Sequence, residues 1–390
     1  MKYVTKIGSI LLFAFLFACA PAVRMQVLKP AELQLQKPVK RIAVLDFNFK
    51  GMWDFGETEL TSTQVKVLGF KFKVRESVKK AQTASVPEYS GDKVAAQLIS
   101  KLVNNGYYQV VERSKLQQIL EEQKLSLTGV VDEETAVEVG KLLGVEALLV
   151  GYGDYTVKDH GNWSTFTRTE RTKDKKKVKV PYRRYTVQRD VVVTLNFRLV
   201  STETGEILAS NTITSRVSKS VKRENKESYF KTGERRKKQD IELAARQALP
   251  HWKTMVDQGV NSGCQKIVLQ IAPHYVVVKR TLEKGKSKEM KMAIEYTKRG
   301  LWEDAAKIWE KYVNRPGSKD YVPAMYNLAI YYEAIDQLEE AEELFDKCYR
   351  TTGKNKYLDG KARVVRRKKE LEKLKQQGAL EETTNRTEEN

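Results

Sequence analysis

Three cysteines and three histidines in 390 residues leave little material for metal or redox chemistry. His160, His251 and His274 show no ligand spacing, and the chain carries no HExxH, no GxSxG and no glycine-rich phosphate loop. The one GxG, Gly151-Tyr152-Gly153, stands at a strand end and reads as a turn. With the usual signatures of hydrolases, metalloenzymes and nucleotide-binding proteins missing, the chain reads as a non-enzyme with no cofactor, no metal and no small-molecule substrate. Acidic residues are also in deficit, 50 against 70 Lys and Arg, which gives a formal net charge of +20. That charge would ordinarily point to nucleic acid. The N-terminus points elsewhere.

Lys2 and Lys6 precede an apolar stretch from Ile7 to Ala18, the layout of a signal peptide and shorter than the roughly 20 residues that cross a bilayer. It ends Leu16-Phe17-Ala18-Cys19, the pattern of a bacterial lipobox. Small Ala18 suits cleavage before Cys19, whose thiol would then carry lipid, and several acyl chains on one residue anchor a protein stably. An ordinary secretory signal with an incidental cysteine is the rival reading. Residues 1–18 are thus expected to be signal peptide, Cys19 the lipidation site, and 19–39, with Pro21, Pro30 and Pro38, an extended tether. Resemblance to bacterial lipoproteins implies, through Ala20 rather than Asp after the cysteine, an outer-membrane lipoprotein facing the periplasm. Nucleic acid is therefore set aside, and the basic surplus is matched to a membrane, envelope anions or an acidic protein. Cys264 and Cys348 fall in different expected domains and read as buried small hydrophobes.

The folding core reads from residue 91 to 157. Val94, Leu98, Ile99, Leu102 and Val103 form a helical stripe that Asn104, Asn105 and Gly106 stop. Tyr107 to Val111 is a short strand. Ser114 suits the N-cap of a helix from Leu116 to Leu125, and Asp132 that of another burying Ala136, Val137, Val139, Leu142 and Leu143. Gly144 ends that helix, and Val145 to Val150, apolar on both faces, reads as an interior strand. Before the core, Arg41 to Phe47 holds a first strand, and 50–90 lacks any sustained period and reads as a long loop. After it, Val191, Val193, Leu195, Phe197 and Leu199 alternate on one face of a strand, Ser201 to Gly205 turns, and Asp240 caps a helix that Pro250 must end. A further apolar helix through Val260, Ile267, Val268 and Ile271 leads to a strand at Tyr275 to Val278.

RIAVLDF, DKVAAQLISKLVNNGYYQVVERSKLQQILEEQ, the Thr128-Gly129 turn, ETAVEVGKLLGVEALLVGY and LNFRLVSTETGEIL together resemble the CsgG/HfaB family, named for the curli secretion-channel lipoprotein. The resemblance covers about 40–285 and implies an α/β periplasmic domain with helices packed on a sheet. In channel members it further implies two β-hairpins per subunit that join those of other subunits in one membrane barrel, hence a homo-oligomer. The corresponding insertions here are 157–190 and 209–238. Either face of the first carries charge or a polar row, and an Arg or Lys facing lipid near the midplane costs about 2 to 4 kcal/mol. Lys175, Lys176, Lys177, Lys179, Arg183, Arg184, Arg235 and Arg236 instead make a candidate surface for an anionic or acidic partner, against the plainer reading of a solvated ribbon face.

From 286 the pattern changes. Trp302, Ala305 and Trp309 are followed 36 residues later by Leu338, Ala341 and Phe345, with Tyr332 in the helix before, and this resembles two tetratricopeptide repeats, whose usual period is about 34. Trp302, Ala305, Trp309, Tyr332, Ala341 and Phe345 are the expected repeat core, Asp336 replaces the usual turn glycine, and the helix 356–376 closes the array. The resemblance implies a protein partner bound by an all-α domain over 286–377, with a disordered acidic tail at 378–390. The whole reads as a lipid-anchored scaffold of the CsgG family serving envelope or secretion machinery; a curli-type channel subunit and an activator of a cell-wall synthase are the alternatives.

Overall fold

The computed structural model describes residues 21–35, 38–54, 66–67, 70–71, 89–111 and 133–380. The lipobox and Cys19, the helix expected at 116–125 with its Ser114 cap, Asp132, the Thr128-Gly129 turn and the tail beyond 380 lie outside them. The chain divides into two compact units, one of residues 31–273 and 377–379, the other combining 274–376 with the N-terminal segment up to Pro30.

The first unit is built on a six-stranded sheet. Its strands are β2 (Arg41–Val44), β3 (Asn48–Asp54), β6 (Gln109–Val110), β7 (Ala147–Arg171), β8 (Lys177–Ser201) and β9 (Ile207–Lys226), in the order β6-β2-β7-β8-β9 with β3 also on β7. A separate two-residue pair, β4 (Lys66–Val67) and β5 (Phe70–Lys71), interrupts the long loop read from the sequence. β3 runs on to Asp54 where no period was visible, because its partner is the distant Tyr152–Lys158 segment of β7.

Helices cover both sheet faces. On one face lie α1 (Gly91–Asn105) and α4 (Trp252–Ile271), whose Leu98, Leu102, Val256, Val260, Cys264 and Ile267 pack on Val193, Leu195 and Phe197 in one buried cluster. On the other lies α2 (Glu133–Leu143), where Leu143 and Val145 join Ala43, Leu45, Leu148 and Val150. Ala147 to Val150 is buried throughout, as a strand covered on both sides must be. Two residues read into the apolar stripes do not belong there: Val103 is 57 % and Leu142 47 % exposed, each at the far edge of its helix's packed arc. Gly106 takes φ 77° at the end of α1 and Gly144 φ 61° after α2.

Helix α4 comes close to the sheet through Gly259 and Gly263. A Cβ at Gly259 would lie 2.6 Å from Val193 Cγ2, and one at Gly263 2.8 Å from Leu195 Cδ1. Gly259→Val should therefore push the helix outward and cost about 1 to 3 kcal/mol, read as a lowered urea midpoint with an unchanged slope.

The second unit starts with a correction. Residues 22–29, read as tether, form β1 (Ala22–Lys29), antiparallel to β10 (His274–Thr281) over eight residue pairs. The alternation of Val23, Met25 and Val27 with Arg24 and Gln26 matches that of β10, and Val23 is buried among the helices. Helices α5 (Lys288–Lys298), α6 (Trp302–Val313), α7 (Tyr321–Ala334), α8 (Leu338–Thr352) and α9 (Asn355–Gln376) follow, each packing on the next. Met290, Ala293, Ala305, Trp309, Ala329, Ala341, Phe345 and Tyr357 fill one core. Asp336, where a glycine was expected, does adopt the left-handed backbone (φ 57°). Its carboxylate accepts two hydrogen bonds from Arg367, at 2.8 and 2.9 Å, a contribution that glycine would lack.

Candidate functional site

The feature that leaves the body of the first unit is a ribbon. β7 and β8 pair without a break from Ala147↔Ser201 to Arg171↔Lys177, and β9 follows β8 as far as Tyr182↔Lys226. The first expected hairpin, 157–190, is thus the outer part of this longer one. The second, 209–238, is not a hairpin: β9 ends at Lys226, a 3₁₀ turn occupies Glu227–Lys231, and α3 (Glu234–Gln247) starts before Asp240, the residue read as its cap. Gly233, at φ 62°, makes the reversal into the helix.

Alternation gives the ribbon two unlike faces. On the open face stand Lys158, Asn162, Ser164, Arg184, Thr186, Lys222 and Glu224. On the covered face, Tyr185 and Val187 are buried under Phe230, Ile241, Ala245 and Leu249, with Trp163 packed alongside. Trp163 stacks obliquely on Tyr185 at 5.2 Å, meets Phe230 edge-on at 5.7 Å, and donates its indole N–H to Glu242 at 2.6 Å. Gly161 is open space for the Tyr185 ring, since a Cβ there would meet the Tyr185 hydroxyl oxygen at 2.1 Å. Helix α3 is the roof of this face.

Under that roof lies a charge pair that residue patterns did not reveal. Arg189 donates to both oxygens of Asp159 at 2.6 Å and to the Pro250 carbonyl at 2.9 Å. Asp159 is 5 % exposed. The two are cross-strand neighbours in the β7–β8 register, a relation visible only once the hairpin is known.

The candidate basic residues separate into three groups. Lys175, Lys176, Lys177 and Lys179 are exposed at the hairpin tip, where Lys175 holds φ 60° in the turn from Thr172 to Lys176. Arg183 and Arg184 lie on opposite faces, roughly 20 Å back along the strand, and are matched by acids. Arg183 pairs with Glu227 and, at 2.6 Å, with Glu234; Arg184 pairs with Glu224 at 2.7 Å. Arg184 holds the carboxyl of Glu224, Arg183 that of Glu227, and Lys238 together with Arg183 that of Glu234, below their ordinary range. Arg235 and Arg236 are exposed on the first turn of α3. The surplus positive charge is therefore concentrated at the tip, with seven basic and two acidic side chains between Arg168 and Lys179. Behind it, Phe166 stacks on Tyr182 at 5.6 Å, with the Arg184 guanidinium 4.4 Å from the Phe166 centroid.

In the helical unit, Ala305, Trp309, Ala341 and Phe345 are buried, whereas Trp302 and Tyr332 are half-buried. Trp302 stacks on Tyr331, 6.5 Å between centroids, at the edge of the core instead of inside it. Cys264 and Cys348 are free and buried, and burial pushes both thiols up to about 12. Among the described residues no group of three or more His, Cys, Asp or Glu could hold a metal ion, and no helix is long and apolar enough to cross a membrane.

The unit that carries this ribbon lies mostly within a segment that sequence comparison assigns to a family. It belongs to the CsgG family, described as the curli production assembly/transport component, which matches residues 51–290. Residues 291–376 match a second family, a domain of unknown function designated DUF6340. No protein of curated function matches. Among solved structures, the LpoB C-terminal domain from Salmonella enterica is 12 % identical over 46 % of this chain and 83 % of that one, with a TM-score of 0.20. Escherichia coli LpoB is 13 % identical over 56 % and 82 %, at 0.23. The PelC dodecamer from Paraburkholderia phytofirmans is 12 % identical over 64 % and 98 %, at 0.19. Likenesses at these scores carry no weight below.

Proposed function

We propose that the protein is a non-catalytic, lipid-anchored scaffold of the bacterial envelope. Cys19 holds it to the outer membrane on the periplasmic side, the CsgG-type unit docks or oligomerises in envelope or secretion machinery, and the helical unit binds a partner protein. The observation that carries the reading is the roofed ribbon. Its open face carries Lys158, Arg184, Lys222 and Glu224 around a Phe166–Tyr182 stack, and its covered face is packed under α3 and holds the Asp159–Arg189 pair. Insertion in a bilayer would strip α3 away and turn toward lipid either the row containing Lys158, Arg184 and Lys222 or the row containing Asp159, Arg189 and Lys219. Each such charge costs about 2 to 4 kcal/mol at the midplane, multiplied around a ring of subunits. The exposed lysine tip, with seven basic side chains to two acidic ones between Arg168 and Lys179, suits an anionic envelope surface or an acidic partner.

The helical unit supports a tetratricopeptide-type reading through its chain of neighbour-to-neighbour packing and the 36-residue recurrence of Ala305 with Ala341 and Trp309 with Phe345. Activation of a cell-wall enzyme would use the same anatomy with a different partner. The test replaces Cys19 by Ser and the signal by a non-lipidated one. The scaffold reading expects the protein in the detergent-free periplasmic extract. A variant that stays in the outer membrane as a large, heat-resistant oligomer would establish the channel reading in its place.

A further inference from the structure

Among the described residues, the helical unit carries a strand edge with no strand partner beside a cavity of mixed apolar and charged lining. The Pro21 carbonyl accepts from the Leu282 N–H at 2.8 Å, which makes this a hydrogen-bonded pair of the β1–β10 ladder. In an antiparallel ladder such pairs alternate, so Val23, Met25 and Val27 bond to β10, while the N–H and C=O of Ala22, Arg24, Gln26 and Leu28 point the other way. The Leu28 carbonyl is taken by the Arg367 guanidinium. Among the described residues no strand pairs with the outer edge of β1.

Along Arg24 to Gln26 that edge borders a cavity of about 560 Å³ to which no residue of β10 contributes. Leu301, Trp302, Tyr331 and Ile335 line it together with the acids Glu303 and Asp304, which outnumber the one cation there, Arg24. Leu301 is 46 % and Ile335 45 % exposed, a large apolar outlay for two neighbouring positions of a repeat array. Outward backbone donors and acceptors, an apolar lining within side-chain reach and an excess of acids are what an extended peptide with alternating apolar side chains and a basic residue requires.

We propose that this edge binds an extended segment of a partner protein as a third strand of the β1–β10 sheet. One apolar side chain enters between Leu301 and Ile335, and a Lys or Arg meets Glu303 and Asp304. The proposal rests on the reading of the helical unit as the partner-binding part, and it assigns that role to a strand edge where a repeat array alone would use its concave helix surface.

The test uses the full chain with Cys19→Ser to pan a displayed library of random decapeptides, with the Leu301→Glu/Ile335→Glu protein as counter-selection. Both substitutions are at exposed positions, and unchanged far-ultraviolet circular dichroism checks the fold. Enriched peptides are expected to alternate apolar and polar residues and carry Lys or Arg. Their affinity by fluorescence anisotropy should fall at least about tenfold on N-methylation of every second peptide bond, and as much on the double substitution. Amide exchange at Arg24 and Gln26 should slow on binding. No enrichment over the double variant, or affinities within about twofold after N-methylation, would overturn the proposal. A soluble Cys19→Ser protein that enriches no peptide defeats the strand edge and leaves the scaffold standing; a membrane-retained variant that binds these peptides does the reverse.

Discussion

Asp159→Ala is expected to destabilise the first unit by about 3 to 5 kcal/mol, because it leaves the largely buried Arg189 guanidinium beside Pro250 with its carboxylate partner gone. The pair itself need not be net stabilising, since taking both charges out of water opposes their attraction. Asp159→Leu with Arg189→Met should therefore recover most of the loss, a coupling that single deletions cannot give. Urea denaturation of the parent, Asp159→Ala and Asp159→Leu/Arg189→Met proteins in the Cys19→Ser background measures both the loss and the recovery. If Asp159→Ala lies within about 0.5 kcal/mol of the parent, the roof over the ribbon is not closed in solution.

Trp309→Ala should cost the helical unit a similar 3 to 5 kcal/mol. Trp309 is fully buried at the centre of the core shared by Ala305, Ala329 and Phe345, where a large cavity would remain. Trp302→Ala, at the half-buried repeat-start position, should cost clearly less, because its ring lies against Tyr331 at the margin. Comparable losses at both sites would mean that Trp302 is core, as its spacing alone suggests. The measurement is the urea midpoint of the helical unit's transition, followed by far-ultraviolet circular dichroism.

These two sites also mark how far the sequence could be read. Local periodicity revealed what local contacts build: α1, α2, the buried strand through Leu148, the β8 alternation and the helices around Trp309 and Phe345. Partners distant in sequence stayed hidden. β1 reads as tether because three prolines flank it and its partner lies some 250 residues away. β3 merged into a long loop for the same reason. Within 209–238, strand and helix were both read as strands, since Glu234 to Asp240 is too polar to show a helical stripe and the apolar arc of α3 begins only at Ile241. Asp159 and Arg189, taken singly, count as charges against a lipid-facing strand; the register joins them into one ion pair on the covered face. The basic tip was legible as composition, but the matching of Arg183 and Arg184 by Glu227, Glu234 and Glu224 required the fold.

Amide hydrogen exchange on the protein carrying the proposed Cys19 lipid, reconstituted in phospholipid vesicles, shows whether α3 remains on the ribbon when a bilayer is present. Residues 237–247 are expected to exchange as slowly in vesicles as in the Cys19→Ser protein without lipid, and the hairpin tip around Lys175 to exchange fast in both. Rapid exchange through α3, together with new protection along 157–171 and 177–190 in the vesicles, would contradict the scaffold reading and mean that the ribbon enters the membrane.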